Sequence, residues 1–279
     1  MPTKSSDSYE GSDHRALRAK VNVQELLMVG SCSSTLRFRH VVIKTPRVDE
    51  EAEITQENAK ATRIEANVYR ILGEHERVAP CLYISPTRDM VMLEFYPNGN
   101  LKDYAAARTT PTCHLRKWAR QMIEGVGYVH SKGVRHSDIR LDQWLLDSET
   151  DARPSDFNAA GYDECSRLDL PGEKALGMEG PSHFLPRDPC EDNSVRSDLF
   201  ALGSALYELE HGSAPYAGVD DETIAKRYEL RCFPSVSTIM LGPVISGAWA
   251  GRSASAAEII EEGEQTCGLR NTSVDWLRG

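Results

Sequence analysis

The stretch from Val134 to Leu146, Val-Arg-His-Ser-Asp-Ile-Arg-Leu-Asp-Gln-Trp-Leu-Leu, constrains this chain more than any other. It sets a polar island between two apolar segments. The preceding run, Leu115 to Val129, has helix-like spacing, and Trp144 to Leu146 closes the stretch as a short strand. An Asp placed between a buried helix and a buried strand, with an amide five residues on, suits phosphoryl transfer. The carboxylate can orient a hydroxyl and accept its proton, and the amide oxygen can bind a metal.

The chain has 279 residues, enough for one large core or two lobes. A net charge of −10 argues against a general nucleic-acid binder. The seven cysteines are odd in number and scattered, with no Cys-x-x-Cys, so reduced thiols in a reducing compartment are expected. No apolar run approaches a membrane span, and the polar N-terminus carries no signal-peptide pattern. The expected location is therefore cytoplasmic or nuclear.

Asp138 and its surroundings resemble the catalytic loop of protein kinases, His-Arg-Asp-x-x-x-x-Asn, with Ser137 for the Arg and Gln143 for the Asn. Further landmarks follow that family's order. Val41-Val42-Ile43-Lys44 matches the Val-Ala-Ile-Lys strand, and Asp156-Phe157-Asn158 resembles Asp-Phe-Gly. Ser197 to Leu209 is an apolar helix carrying Asp198 and Gly203 in an Asp-x-x-x-x-Gly spacing typical of protein kinases. Gln143-Trp144, Leu185 to Asp188 and Gly242 to Gly251 most resemble kinase-like proteins of filamentous fungi.

The resemblance implies an α+β, two-lobed protein-kinase-like fold, with a small β-rich N-lobe carrying one helix and a larger helical C-lobe. Residues 1–20 read as a disordered tail, 21–265 as the kinase-like domain (lobes at about 21–95 and 97–265), and 266–279 as a loosely attached tail. It also implies ATP and Mg²⁺ as cofactors and transfer of the γ-phosphate to a protein Ser or Thr hydroxyl. The alternative is a pseudokinase acting as a binding or scaffold module. Protein substrates are the expected partners, with no nucleic acid, no membrane segment and a monomeric chain.

Residue by residue, the resemblance makes Asp138 the catalytic base and assigns Lys44 to the α- and β-phosphates. Glu65, on a helix spanning Glu50 to Gly73, would hold Lys44. Arg140 would contact the transferring phosphate. Asp156 and Gln143 would hold the metal. Gly30, Val29 and Val42 would line the nucleotide cleft, with Glu94 and Tyr96 at the hinge. His136, Phe157 and Asp198 would be structural supports. Asn158 replaces a glycine, and asparagine tolerates positive φ better than most residues. Only Gly30 survives of the glycine-rich loop, with Cys32 and Thr35 at the other two positions. Gln143 adds a methylene that moves its oxygen by about 1 Å, a displacement that can cost on the order of 10²-fold in rate. Arg187 reverses the charge of the usual Ala-Pro-Glu glutamate, so the usual ion pair cannot form.

Ser137 cannot supply the charge-assisted pairing by which an arginine there binds a phosphorylated activation segment. Activation-segment phosphorylation is thus expected to be dispensable. Phosphatase treatment, or alanine at Ser166 or Ser182, should leave phosphotransfer unchanged; loss of activity in that assay would refute the expectation.

Overall fold

The computed structural model describes residues 25–107, 110–188 and 190–270, and the expected tail at 1–20 lies outside them. The chain opens with three strands, β1 (Glu25–Val29), β2 (Ser33–Phe38) and β3 (Val41–Pro46). A 21-residue helix, α1 (Ala52–Leu72), then leads to β4 (Cys81–Ile84) and β5 (Val91–Glu94). The five strands form one sheet in the order β1-β2-β3-β5-β4, with every neighbouring pair antiparallel.

Local chemistry accounts for these elements. The β-branched run Val41-Val42-Ile43 favours a pleated, half-buried strand. Ile64, Val68 and Ile71 recur at helical spacing, and they bury one face of α1 against Val91 and Leu93 of β5. Gly73 ends the helix at φ 65°, with its N–H donating to the Tyr69 carbonyl.

After α2 (Leu101–Ala106) comes the long helix α3 (Thr112–Ser131). Two small ladders follow: β6 (Val134–Arg135) pairs with β9 (Gly161–Tyr162), and β7 (Trp144–Leu146) with β8 (Ala152–Pro154). The loops joining these four short strands carry Asp138 and Asp156. The remainder is helical: α4 (Val195–His211), α5 (Asp221–Glu229), α6 (Gly242–Ala250) and α7 (Ala256–Thr266). The fold is α+β, with a β-rich N-lobe and a helical C-lobe.

Helix α4 is the axis of the C-lobe. Every residue from Ser197 to Leu209 is buried, as expected of a helix apolar on all sides. Its start is fixed by a capping box between Ser194 and Ser197. Gly203 is needed for packing: a Cβ there would lie 3.0 Å from the Ala248 Cβ and 3.3 Å from the Trp249 ring. Helices α4 and α6 therefore approach closely only because that position lacks a side chain.

One expected boundary moves. The sequence predicts a loosely attached tail from residue 266, yet Leu269 is fully buried in the C-lobe core and its carbonyl accepts from Arg120 Nη1 at 2.6 Å. Apolar Leu269 fills the space beside Gly263 at the end of α7, which its polar flanks in sequence concealed. Residues 271–279 lie outside the described residues. Leu269→Ala should lower the unfolding free energy in a urea titration by about 2–5 kcal/mol, the range for truncating a core leucine. A residue of a loose tail would change it by less than about 0.5 kcal/mol.

Candidate active site

The site begins with a buried cation. Lys44, at the middle of β3, has its Nζ 2.7 Å from Glu65 Oε1 on α1 and 2.6 Å from Asp156 Oδ1. Burial acts to lower the Lys44 pKa, but the two carboxylates outweigh it and the ammonium is held well above its ordinary range. For Asp156, burial works upward and Lys44 downward, and the balance leaves the carboxyl below its ordinary value. All three expected residues meet, and α1 and β3 supply the register that brings them together.

Asp138 lies in the loop between β6 and β7. Gln143 Nε2 donates to its Oδ2 at 2.8 Å, and Arg140 Nη2 donates to the same oxygen at 3.1 Å. Arg140 Nε also sits 2.9 Å from Asp138 Oδ1, off the hydrogen-bond line, so that contact is one of charge. Burial, the largest influence, pushes the Asp138 carboxyl up to about 7, against the pull of Arg140 and Gln143. Arg140 thus rests on the carboxylate itself. Gln143 is seated by its own backbone, since its carbonyl accepts from both the N–H and the hydroxyl of Ser155, at 3.0 and 3.1 Å.

The loop backbone is held from below. Asp198, at the start of α4, accepts from the His136 N–H at 2.7 Å and the Ser137 N–H at 2.9 Å. Its Oδ2 also lies 2.9 Å from His130 Nε2. Burial acts to raise this carboxyl, and its hydrogen-bond partners hold it below its ordinary value. Ser137 needs such support because it takes φ 63° without being glycine. The rings of His136 and Phe157 lie 5.0 Å apart, and Phe157 meets Tyr69 of α1 edge-on at 5.3 Å. Through His136, Phe157 and Asp198 these contacts link α1 to the Asp138 loop and to the start of α4.

Positive φ falls on Asp156, at φ 64°, and not on Asn158, which is buried. The turn is made at the carboxylate-bearing residue, so tolerance of positive φ is not what admits an asparagine at 158.

Glu94 ends β5, and Phe95 N–H donates to the His40 carbonyl at 2.8 Å. The Tyr96 N–H has no hydrogen-bond partner among the described residues, which leaves one donor at the hinge. The Tyr96 ring is buried, and its hydroxyl accepts from Arg153 at 3.0 Å. Val42 is half-buried beside Leu93, its partner across the sheet. Val29 ends β1, 55% exposed. Gly30 N–H donates to the Ser33 carbonyl at 2.8 Å, so the glycine loop is reduced to a tight hairpin turn. Gly30 does not take positive φ, and a Cβ there would meet nothing closer than 3.5 Å.

The segment after Asp156 supplies residues that the sequence reading missed. Arg187 Nη2 pairs with Glu179 Oε1 at 3.1 Å, and both side chains are nearly buried. Asn193 also donates to Glu179. The charge reversed at 187 is therefore answered within the same segment, and the reversal itself was the available signal. Met178 N–H donates to the Ser137 carbonyl at 2.9 Å, fastening this segment to the Asp138 loop.

A family model described as protein kinase domain matches residues 28–262. The chain belongs to the protein kinase domain family. Among similar curated proteins, the serine/threonine-protein kinase PLK4 of Nematostella vectensis is 34% identical over 45% of this chain. The serine/threonine-protein kinase SIK1 of Rattus norvegicus is 26% identical over 74% of the chain, and CBL-interacting protein kinase 3 of Oryza sativa subsp. japonica is 31% identical over 52%. This kinase-family chain matches only 13%, 27% and 32% of the lengths of those three relatives. Among the described residues no helix is long and apolar enough to cross a membrane.

Proposed function

We propose that this chain is an ATP-dependent protein kinase that phosphorylates Ser or Thr hydroxyls of protein substrates. The observation that carries the proposal is the buried Lys44 held by Glu65 and Asp156, together with Asp138 held by Gln143 and Arg140 in the neighbouring loop. The Ser/Thr assignment is supported by the names of the relatives. A scaffold role without chemistry has no comparable support, because the residues of the phosphoryl-transfer set are present and assembled.

The donor set fits a magnesium ion. Asp156 Oδ1 is taken by Lys44, while its Oδ2 has no protein partner among the described residues. Gln143 uses its Nε2 on Asp138 and leaves Oε1 without a protein partner there. A carboxylate oxygen and an amide oxygen are the donor types that suit a hard cation completing its shell with phosphate and water. Bound Mg-ATP would supply the phosphoryl group and neutralise its charge. Lys44 would bind phosphate oxygens, and the Tyr96 N–H would meet the base. Asp138 would orient the substrate hydroxyl and take its proton. Arg140, drawn from the Asp138 carboxylate, would meet the charge on the transferred group.

The kinase-like domain is proposed to act as a monomer on protein partners, without nucleic acid, in the cytoplasm or nucleus. The detailed likeness to fungal kinase-like proteins rests on Gln143-Trp144, Leu185 to Asp188 and Gly242 to Gly251.

Two measurements test this function. ATP at a hundred times its dissociation constant should stabilise the protein by about 2.7 kcal/mol in a thermal-shift titration. The shift should require magnesium and vanish in Asp156→Ala; no shift at millimolar ATP would end the nucleotide reading. The second is a pH profile. Asp138 must be ionised to accept a proton, and its pKa is raised to about 7. The value of kcat/KM should therefore climb about tenfold per pH unit below neutrality and level off above it. Gln143→Leu removes a hydrogen bond that favours the charged form, so its rising limb should move to higher pH. A limb lying below pH 5 in the natural protein would exclude Asp138 as the titrating base.

A further inference from the structure

A second cleft, of about 660 Å³, lies on the side of the hinge away from Lys44 and Asp156. It shares Glu94 and Tyr96 with the nucleotide side, but none of Lys44, Glu65, Asp138 or Asp156 lines it. One wall is the end of the β2–β3 hairpin, with Arg37, Arg39 and His40, and the other is the turn after β7, with Asp147. It is an open groove, with room for a short peptide segment.

The two walls differ in how far their charge is neutralised. Asp147 is occupied: its Oδ2 lies 3.0 Å from Arg153 Nη2, and its Oδ1 accepts the N–H groups of Glu149 and Asp151, both at 2.9 Å. Arg39 is not. It is exposed in the left-handed region at φ 57°, and among the described residues its side chain meets only the Phe38 ring, at 5.7 Å, and no carboxylate. Arg37 lies over the Phe95 ring at 3.6 Å and braces the turn by donating to the Arg39 carbonyl at 2.9 Å. Glu94, on the hinge side, is the remaining acid, so the hairpin wall is basic in a chain of net charge −10.

The chain's own path indicates the occupant. Glu25 pairs with Arg37 across β1 and β2, so β1 starts beside this basic wall. Among the residues before it in sequence, Asp7-Ser-Tyr-Glu-Gly-Ser-Asp13 carries three carboxylates and no basic residue. The linker from His14 to Gln24 can span roughly 36 Å when extended, ample for a neighbouring cleft. Tethering at that length gives an effective concentration of order millimolar, so even weak pairing would populate the docked form.

We propose that the cleft behind the hinge is a docking site for the acidic segment Asp7–Asp13 of the same chain, recognised by Arg39 and His40. Phosphorylation of Ser8, Tyr9 or Ser12 would add charge opposite Arg39 and tighten the docking. None of Lys44, Glu65, Asp138 or Asp156 lines this site, and the proposal does not rest on the kinase activity.

The test is hydrogen–deuterium exchange on the full chain. Three variants are compared with the natural protein: Arg39→Asp, chosen because Asp tolerates positive φ; the triple reversal Asp7→Lys, Glu10→Lys, Asp13→Lys; and the two combined. Either reversal alone should speed amide exchange at residues 37–41 and 95–96 several-fold, as should raising salt from about 0.05 to 0.5 M. The combined variant, which restores opposite charges, should return exchange towards the natural rate. Unchanged exchange in the triple reversal overturns the proposal, and so does a combined variant that shows no recovery. If the tail reversal has no effect but an added peptide of residues 5–14 protects the hinge in trans, the occupant is another protein and the proposal fails. The triple reversal lies outside the described residues, so it keeps the test open should Arg39→Asp fail to fold.

Discussion

Three charges buried between the lobes set the terms for the rest of this structure. The side chains of Lys44, Glu65 and Asp156 are 7%, 1% and 21% exposed, and together they carry a net charge of −1. Removing such groups from water costs several kcal/mol per ion, and an apolar cluster of similar volume would often be as stable. The triad is therefore poorly explained as a stabilising device. Its consequence is positional: β3, α1 and the Asp156 turn can coexist only in one relative arrangement. That arrangement leaves an anionic oxygen, Asp156 Oδ2, without a partner among the described residues.

Helix α1 must then be held in rotation, and its tethers are distributed along it. Lys60 pairs with Glu173 at 3.0 Å, Asn67 donates to the Tyr162 hydroxyl at 2.8 Å, and Arg167 donates to the Ile71 carbonyl at 3.2 Å. All three partners lie in the segment after Asp156. The exposed Lys60–Glu173 pair contributes little by itself; the buried Asn67–Tyr162 bond, next to Phe157, is the stronger constraint. The same segment is fixed to the Asp138 loop through Met178 and Ser137. Order in this segment, the angle of α1 and the Lys44–Glu65 pair are thus one coupled unit. Ser137 and Asp156 hold left-handed backbone at a cost of order 1–3 kcal/mol each, a strain that persists because Asp198 and Lys44 over-determine those positions.

Much of this was legible in the sequence, because the chemistry-bearing residues sit on elements whose periodicity is plain. Lys44 lies on a β-branched strand, Glu65 lies on a strongly periodic helix, and Asp198 opens a mostly apolar one. The misses share a physical cause. Glu179 as partner of Arg187, Arg140 resting on Asp138, and Leu269 entering the core are tertiary choices of side chain and path that spacing does not specify. The placement of positive φ on Asp156 and not Asn158 is of the same kind, since a dihedral within a turn depends on what anchors its ends. The cleft behind the hinge was invisible because its walls come from three segments far apart in sequence.

The hairpin at Gly30 is where the sequence departs furthest from its family, and the structure shows what that departure does. The Gly30 N–H is spent on Ser33, so the turn offers less backbone to an anion than a glycine-rich loop would. Val42 narrows the space beside Leu93 where a small residue is usual. Under the proposed function, recognition of a nucleotide would then shift towards side chains with full charge and towards the hinge. Lys44 and Arg140 would be the cations offered to the phosphates, and Tyr96 would supply the N–H for the base. Charged hydrogen bonds of this sort are about twice as strong as neutral ones, so a few of them can replace a cradle of backbone amides. They do so only while Lys44 stays fixed, which returns the burden to Glu65 and the tethers of α1.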